Sequence, residues 1–221
     1  EISACLVGSE MCIRDRVMTH RQNSETTAAR PSLQVVRQTT TVTRTSRETR
    51  NAHRGAVVWL TGMPGSGKST IADATERNLY TLGFQTAVLD GDNIRLGLCA
   101  DLGFSDTDRN ENVRRVAETA KLFRECGIVV LVALVSPLRE TSEQIKRLLD
   151  PDDFLEVYCC CPSLICQRRD PKGHYAKARR GEILEFTGVS SAYEEPLAPT
   201  LVLNTDSQTA EESVELLKCV E

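Results

Sequence analysis

The chain has 221 residues, enough for one full-sized domain with a large hydrophobic core and tight for two. Hydrophobic residues make up 40% and charged residues 26%, with a formal net charge of -4, which argues against nucleic-acid binding through general positive charge. The charge is uneven: residues 1–54 hold nine Arg against five acidic residues, net +4, and the rest hold 18 basic against 26 acidic, net -8. Nine cysteines are an odd number, and neither a secretory signal nor a run of 18 apolar residues is present. The expectation is a cytosolic protein with reduced thiols, no membrane segment and no nucleic-acid partner.

Residues 1–17 have no useful periodicity and read as a non-native leader, a translated sequencing adapter, with Met18 the expected start. Residues 18–53 are polar, with TTTVTRTSRETR at 39–50, and read as a flexible arm or linker. Three other readings stay open: a short strand over Ser32–Thr43, an arm packed on a partner subunit, and a basic organellar presequence. His53 is expected to be a solvated linker residue.

From residue 54 the pattern changes to a single domain running to residue 221. Ala56–Leu60 predicts a short apolar strand, then a Gly-rich turn and a helix over Ser69–Leu82. Thr86–Leu89 is a second strand ending at Asp90. Ser105 and Asp108 form a capping pattern ahead of a helix over Asp108–Cys126. Ile128–Val135 is the strongest buried-strand signal. A helix over Arg139–Leu149, a strand over Phe154–Cys160 and a short helix over Ser163–Arg169 follow. Thr200–Leu203 is the last strand and Ala210–Val220 the last helix. Alternating strands and helices without a repeat predict a three-layer α/β domain with a parallel sheet.

Gly62-Met63-Pro64-Gly65-Ser66-Gly67-Lys68-Ser69 matches GxxxxGK[ST] between a strand and a helix, the context a phosphate loop requires. Its glycines let backbone N–H groups curl around phosphate oxygens at a helix N-terminus. Gly62, Gly65, Ser66, Gly67, Lys68, Ser69 and Thr70 are the candidate nucleotide contacts. Lys68 can reach the β- and γ-phosphates, and the Ser69 hydroxyl can ligate Mg²⁺. No NKxD-type guanine signature is present, and the domain is short for a motor, so a small-molecule kinase using ATP is favoured.

Past the second strand, Asp90 and Asp92 could point together beyond its carboxyl end, where open α/β sheets bind ligands. A carboxylate there can orient an acceptor hydroxyl, take its proton or hold Mg²⁺ through water. Arg109 and Asn112 share a helix face, and with Arg95 they could form a cationic wall for an anionic acceptor. Arg114 and Arg115 read as solvated helix charge. Phe104 is either a packing anchor or a stacking platform. Lys172, Lys177, Arg179 and Arg180 suit a lid that closes over phosphates.

Together, HRGAVVWLTGMPGSGKST, LDGDNIRLGLCADLGFSDTDRNENVRRV, LVSP, RDPKGHYAKARRGEI and FTGVSSAYEEP resemble the adenylylsulfate kinase family over about three quarters of the chain. The resemblance implies a P-loop kinase fold with a mobile lid. It implies transfer of the ATP γ-phosphoryl group to the 3′-hydroxyl of adenosine 5′-phosphosulfate (APS), giving PAPS and ADP with Mg²⁺. By position, Asp92 resembles the group that orients or deprotonates that hydroxyl, and Asp90 supports it. Arg95, Arg109 and Asn112 resemble acceptor contacts, Phe104 and Phe186 the pair that sandwiches its adenine, and Lys172 the lid lysine. Ser136 occupies the position described in relatives as a phosphoserine intermediate; a hydroxyl that only binds acceptor or metal water, with direct in-line transfer, is the favoured reading. A homodimer is implied, as is association or fusion with an ATP sulfurylase or a GTPase subunit.

Several positions depart from the family pattern. Cys159-Cys160-Cys161 replaces a VDT, Leu138 a frequent Tyr and His174 a frequent Leu, while Ser190 and Ala192 alter an IDSPYE-like segment. The cysteine run lacks metal spacing and reads as packing. Two rivals remain: another small-molecule P-loop kinase, and a nucleotide-binding regulatory subunit without catalysis.

Overall fold

The first strand of the domain, β1 (Ala56–Thr61), is buried at all six positions. It sits at the centre of a five-stranded parallel sheet with β2 (Thr86–Asp90), β3 (Val129–Ala133), β4 (Phe154–Cys160) and β5 (Leu201–Asn204) in the order β2-β3-β1-β4-β5. These come from a computed structural model that describes residues 38–219. The expected leader, and the arm as far as residue 37, lie outside the described residues.

Period-two alternation sends β1 side chains into two separate core layers. On one face Val58 and Leu60 pack with Leu131 and Val157 beneath α2 (Lys68–Thr81) and α8 (Ala210–Lys218). On the other, Val57 and Trp59 pack with Val130 and Val132 beneath α4 (Asp106–Glu125) and α5 (Arg139–Leu148). Helices therefore cover both faces, the predicted three-layer architecture. All five carboxyl ends share one edge, where α3 (Gly91–Leu96), α6 (Ser163–Arg169) and α7 (His174–Arg179) gather. A Cβ at Gly91 would lie 2.8 Å from Leu134 Cδ2, so a side chain there would require Leu134 to shift.

The arm is corrected over its last part. Residues 38–43 contain no strand, and Arg44–Asn51 form a helix, α1, capped by the Thr43 side chain. Asp153 explains why it docks: its buried carboxylate takes Arg44 at 2.7 Å, Arg54 at 2.8 Å and Arg124 Nε at 2.9 Å. Glu48 accepts from the Gly55 N–H at 2.9 Å. His53 is buried rather than solvated, accepting from the Gln85 N–H at 2.9 Å and stacking on Phe84 at 4.8 Å.

Candidate active site

The loop from Gly62 to Gly67 leaves β1 and turns into α2 through a series of backbone positions that favour glycine. Gly65 and Gly67 have φ of 80° and 93°, and a Cβ at Gly65 would lie 2.8 Å from the Cys166 carbonyl. Gly67 is the N-cap of α2, so the helix N-terminus and its unpaired N–H groups open onto the loop. Lys68 is almost fully buried, donating to the Gly62 carbonyl at 2.8 Å and the Met63 carbonyl at 2.7 Å. Burial pushes its pKa down to about 8, outweighing the nearby charges of Asp90 and Asp92 that favour the ammonium. Ser69 Oγ donates to Asp90 Oδ2 at 2.6 Å.

Asp90 ends β2 and caps α3, its Oδ1 accepting from the Asp92 N–H at 3.0 Å. Asp92 stands in the first turn of α3, just beyond the strand end that Asp90 occupies. It forms an ion pair with Lys172, which arrives from the turn before α7.

Arg95 lies 4.3 Å over the Phe104 ring and donates to the Gly103 carbonyl at 2.7 Å, so one face of that ring is covered by a guanidinium. Phe104 is 56% exposed, which leaves its remaining surface available to a ligand. Arg109 donates to the Phe104 carbonyl at 2.7 Å and also to Thr187 and the Glu185 carbonyl, tying α4 to the segment that carries Phe186. Burial lowers the pKa of both Arg95 and Arg109. Guanidinium stays charged, so the direction marks positive charge poorly compensated by this protein alone. Asn112 is buried and its Oδ1 has no partner, which leaves an acceptor for a ligand hydroxyl or amine. Arg114 and Arg115 do serve the helix surface, pairing with Glu111 and, for Arg115, Asp101.

Ser136 follows β3 in a conformation rare for a side chain, with φ of 41° immediately before Pro137. Three bonds hold it there. Thr61 Oγ1 donates to the Val135 carbonyl at 2.8 Å, Trp59 Nε1 to Ser136 Oγ at 3.0 Å, and the Glu194 N–H to the Pro137 carbonyl at 2.8 Å. Indole is a donor only, so it occupies a lone pair of Ser136 and leaves the hydroxyl proton to be given elsewhere.

One cavity of about 870 Å³ joins these groups: Gly65 and Gly67 to Thr70 of the loop, Asp90, Asp92, Arg95, Phe104, Arg109, Asn112, Ser136, Lys172 and Phe186 all line it. Of the sequence-proposed site residues, Gly62 and Ser66 do not reach its wall. Gly62 instead supplies a carbonyl to Lys68, and Ser66 is fully buried. A profile of the adenylylsulphate kinase family matches residues 54–204. The chain belongs to the adenylylsulphate kinase family. It is an enzyme. It is 52% identical over 174 residues to a probable adenylyl-sulfate kinase of Halalkalibacterium halodurans, covering 79% of this chain and 86% of that one. Identity to a probable adenylyl-sulfate kinase of Bacillus subtilis is also 52%, over 170 residues, 77% of this chain and 86% of that one. The fold is similar to an APS kinase of Mycobacterium tuberculosis solved with AMPPNP and APS, with TM-score 0.72 and 48% identity over 74% of this chain and 95% of that one.

This member of the family also has wall residues that sequence reading missed. Arg169, Thr205, Gln208 and Thr209 line the same cavity beyond the phosphate loop, at the ends of α6 and β5 and at the start of α8. Thr205, Gln208 and Thr209 carry no motif, and only the strand–loop–helix order around residues 201–210 could have pointed to them, whereas Arg169 opens the RDPKGHYAKARRGEI segment, whose lid cations were read without it. His174 is half-buried, with its ring 6.1 Å from Phe186. The cysteine run packs as expected: Cys159 enters one core layer and Cys161 a smaller cluster with Cys166. Burial pushes the Cys159 and Cys166 thiols up to about 12, so neither is a thiolate at neutral pH. Among the described residues no group of three His, Cys, Asp or Glu could hold a metal, and no helix is long and apolar enough to cross a membrane.

Proposed function

We propose that this cavity binds ATP and APS together and transfers the γ-phosphoryl group directly to the APS 3′-hydroxyl. The observation that carries the proposal is the shared wall: the phosphate loop, Asp92 and the Arg95–Phe104–Arg109–Asn112 group border one cavity. The loop N–H groups and Lys68 would hold the ATP phosphates, and Lys68 would neutralise charge developing on the transferred group. Arg169 and Thr205 are proposed to border the donor's base. Phe104 and Phe186 would stack the acceptor adenine, with Asn112 and Arg109 bonding its ribose and phosphosulfate. Asp92 would align the 3′-hydroxyl and accept its proton, once Lys172 leaves the carboxylate for phosphoryl oxygens.

The residues fit Mg²⁺. Ser69 Oγ and Asp90 Oδ2 are hard oxygen ligands 2.6 Å apart at the end of the loop. Ser69 would bind the ion directly and Asp90 through water; when bound, the ion supplies charge neutralisation at phosphoryl oxygens. Ser136 acts here as a hydrogen-bond donor rather than a nucleophile, since its one described side-chain partner is a donor and not a base. A cytoplasmic homodimer is the proposed form, checked by sedimentation equilibrium.

The test is a coupled assay of ADP release with ATP and APS, AMP or shikimate. Turnover with APS alone is expected. ATP binding without turnover on any of the three would favour a regulatory subunit, and turnover with AMP or shikimate another small-molecule kinase.

A further inference from the structure

Helix α7 is fixed to the domain through a residue that the phosphoryl-transfer scheme does not use. Tyr175 is only 2% exposed, although it borders the cavity. Its hydroxyl donates to the Pro64 carbonyl of the phosphate loop at 2.9 Å. Its ring meets Phe186 edge-on, with centroids 5.0 Å apart and planes at 83°, a favourable aromatic geometry. Its N–H donates to Asp170 Oδ1 at 3.1 Å, while Asp170 Oδ2 accepts from the Ala176 N–H at 3.1 Å. The turn that carries Lys172 is thereby folded against the same residue.

The surroundings leave this ring little freedom. Met63, Cys166 and Phe186 close around it in a cluster separate from the two core layers. A Cβ at Gly188 would lie 2.4 Å from Met63 Cε and 3.4 Å from Tyr175 Oη, so the chain after Phe186 lies directly against both. A buried phenol needs a partner for its hydroxyl, and here that partner belongs to the donor loop. The partner of its ring belongs to the acceptor side. Sliding Phe186 relative to the loop would break one contact or the other.

We propose that Tyr175 is a positioning residue, which sets the distance between the acceptor's stacking platform, Phe186, and the donor's phosphate loop. This rests on the reading of the cavity given above. In-line transfer tolerates little error, since a displacement of about 1 Å can cost two orders of magnitude in rate. Tyr175 touches neither reacting atom and acts through Phe186.

The experiment is Tyr175→Phe, which keeps the ring and cuts the tether to Pro64. With an unchanged circular dichroism spectrum, the KM for APS should rise about 3- to 10-fold, the effect of one net hydrogen bond, while the KM for ATP stays within about twofold. A double-mutant cycle with Phe186→Leu adds the decisive readout: in that background Tyr175→Phe should raise the APS KM less than about twofold further, because the residue acts through the missing ring. An unchanged APS KM in Y175F, an equal rise for both substrates, or full additivity in the cycle overturns the proposal. If Y175F fails to fold, the residue is structural and the proposal also falls. Wild-type turnover separates the two readings: no activity with APS refutes the function itself, whereas activity with an unaltered Y175F refutes only the role of Tyr175.

Discussion

Lys68 provides the sharpest test of the site, because its pKa of about 8 without ligand should return toward the ordinary 10.5 when phosphates surround it. Nucleotide binding then takes up a proton wherever the free lysine is neutral and the bound one is charged. At about pH 9 the free side chain is roughly 90% neutral and the bound one almost fully charged, so uptake is about 0.9 proton per nucleotide. Across the interval from about pH 7 to about pH 9.5, the same two values weaken affinity by about 30-fold, or about 2 kcal/mol. The free protein moves the other way. Its unfolded chain binds more protons between the two pKa values, so the burial penalty of Lys68 is present below pH 8 and is relieved as pH rises from there toward 10.5. Calorimetric titration with ADP at about pH 9, in buffers of different ionisation enthalpy, measures the uptake directly, and the phosphates are fully ionised there. Lys68→Met should abolish it, because the titrating group is gone. Wild-type binding at about pH 9 with less than roughly 0.2 proton taken up would mean that Lys68 is already charged in the free protein, and would refute the reasoning.

Three further outcomes are expected. Asp92→Asn should lower kcat by about 10²- to 10⁴-fold while ATP affinity is retained, read by steady-state kinetics alongside nucleotide titration. Transfer from chiral γ-phosphoryl ATP should invert configuration at phosphorus; net retention would restore Ser136 as a covalent relay. Asp153→Ala should lower unfolding free energy by about 3–5 kcal/mol in urea, because it leaves Arg44, Arg54 and Arg124 without their shared carboxylate. Burial alone would raise the Asp153 pKa, but the Arg44 hydrogen bond and the three guanidinium charges hold it below the ordinary value. Its stabilising contribution is therefore present above the unfolded carboxylate range and lost as pH falls through the lower folded value.

Local chemistry made the fold legible. β1 and β3 are apolar runs bounded by turn residues, and a phosphate loop can work only between a strand and a helix. That Arg95, Phe104, Arg109 and Asn112 gather at one cavity was legible by type and position, but their arrangement was not. Nothing in the spacing of Arg95 and Phe104 says that the guanidinium covers one ring face. Helix α1 was missed because its stability is tertiary. RTSRETRN has little apolar content, and its docking depends on Asp153, 109 residues away from Arg44. Short helices α3 and α7 were missed for the related reason that six residues give no period to detect; Asp90 and Asp170 start them through side-chain bonds to backbone N–H groups. Nothing in the sequence singled out Tyr175, since its partner loop lies more than a hundred positions earlier.

A domain that carries net negative charge still offers a home to two anions, and the state of its cations shows how. Arg44 and Arg115 are structural. Burial works against the charge of Arg44, but bonds to Asp153 outweigh it, and bonds to Asp101 and Glu111 raise Arg115. Lys68, Arg95 and Arg109 are the opposite case, with burial the largest influence on each and the pKa driven down. Carboxylates of the chain itself thus satisfy the first pair, while the second group is left under-compensated at one cavity. Lys68 is already buried and Arg95 and Arg109 are partly so before any ligand arrives, so an incoming phosphate meets charge that water screens less well than at the open surface. A surplus of acid elsewhere does not defeat this, because screening confines distant surface charges to about 8–10 Å at physiological salt. Specificity for anionic substrates therefore follows from where the protein withholds its carboxylates, rather than from the sign of its total charge.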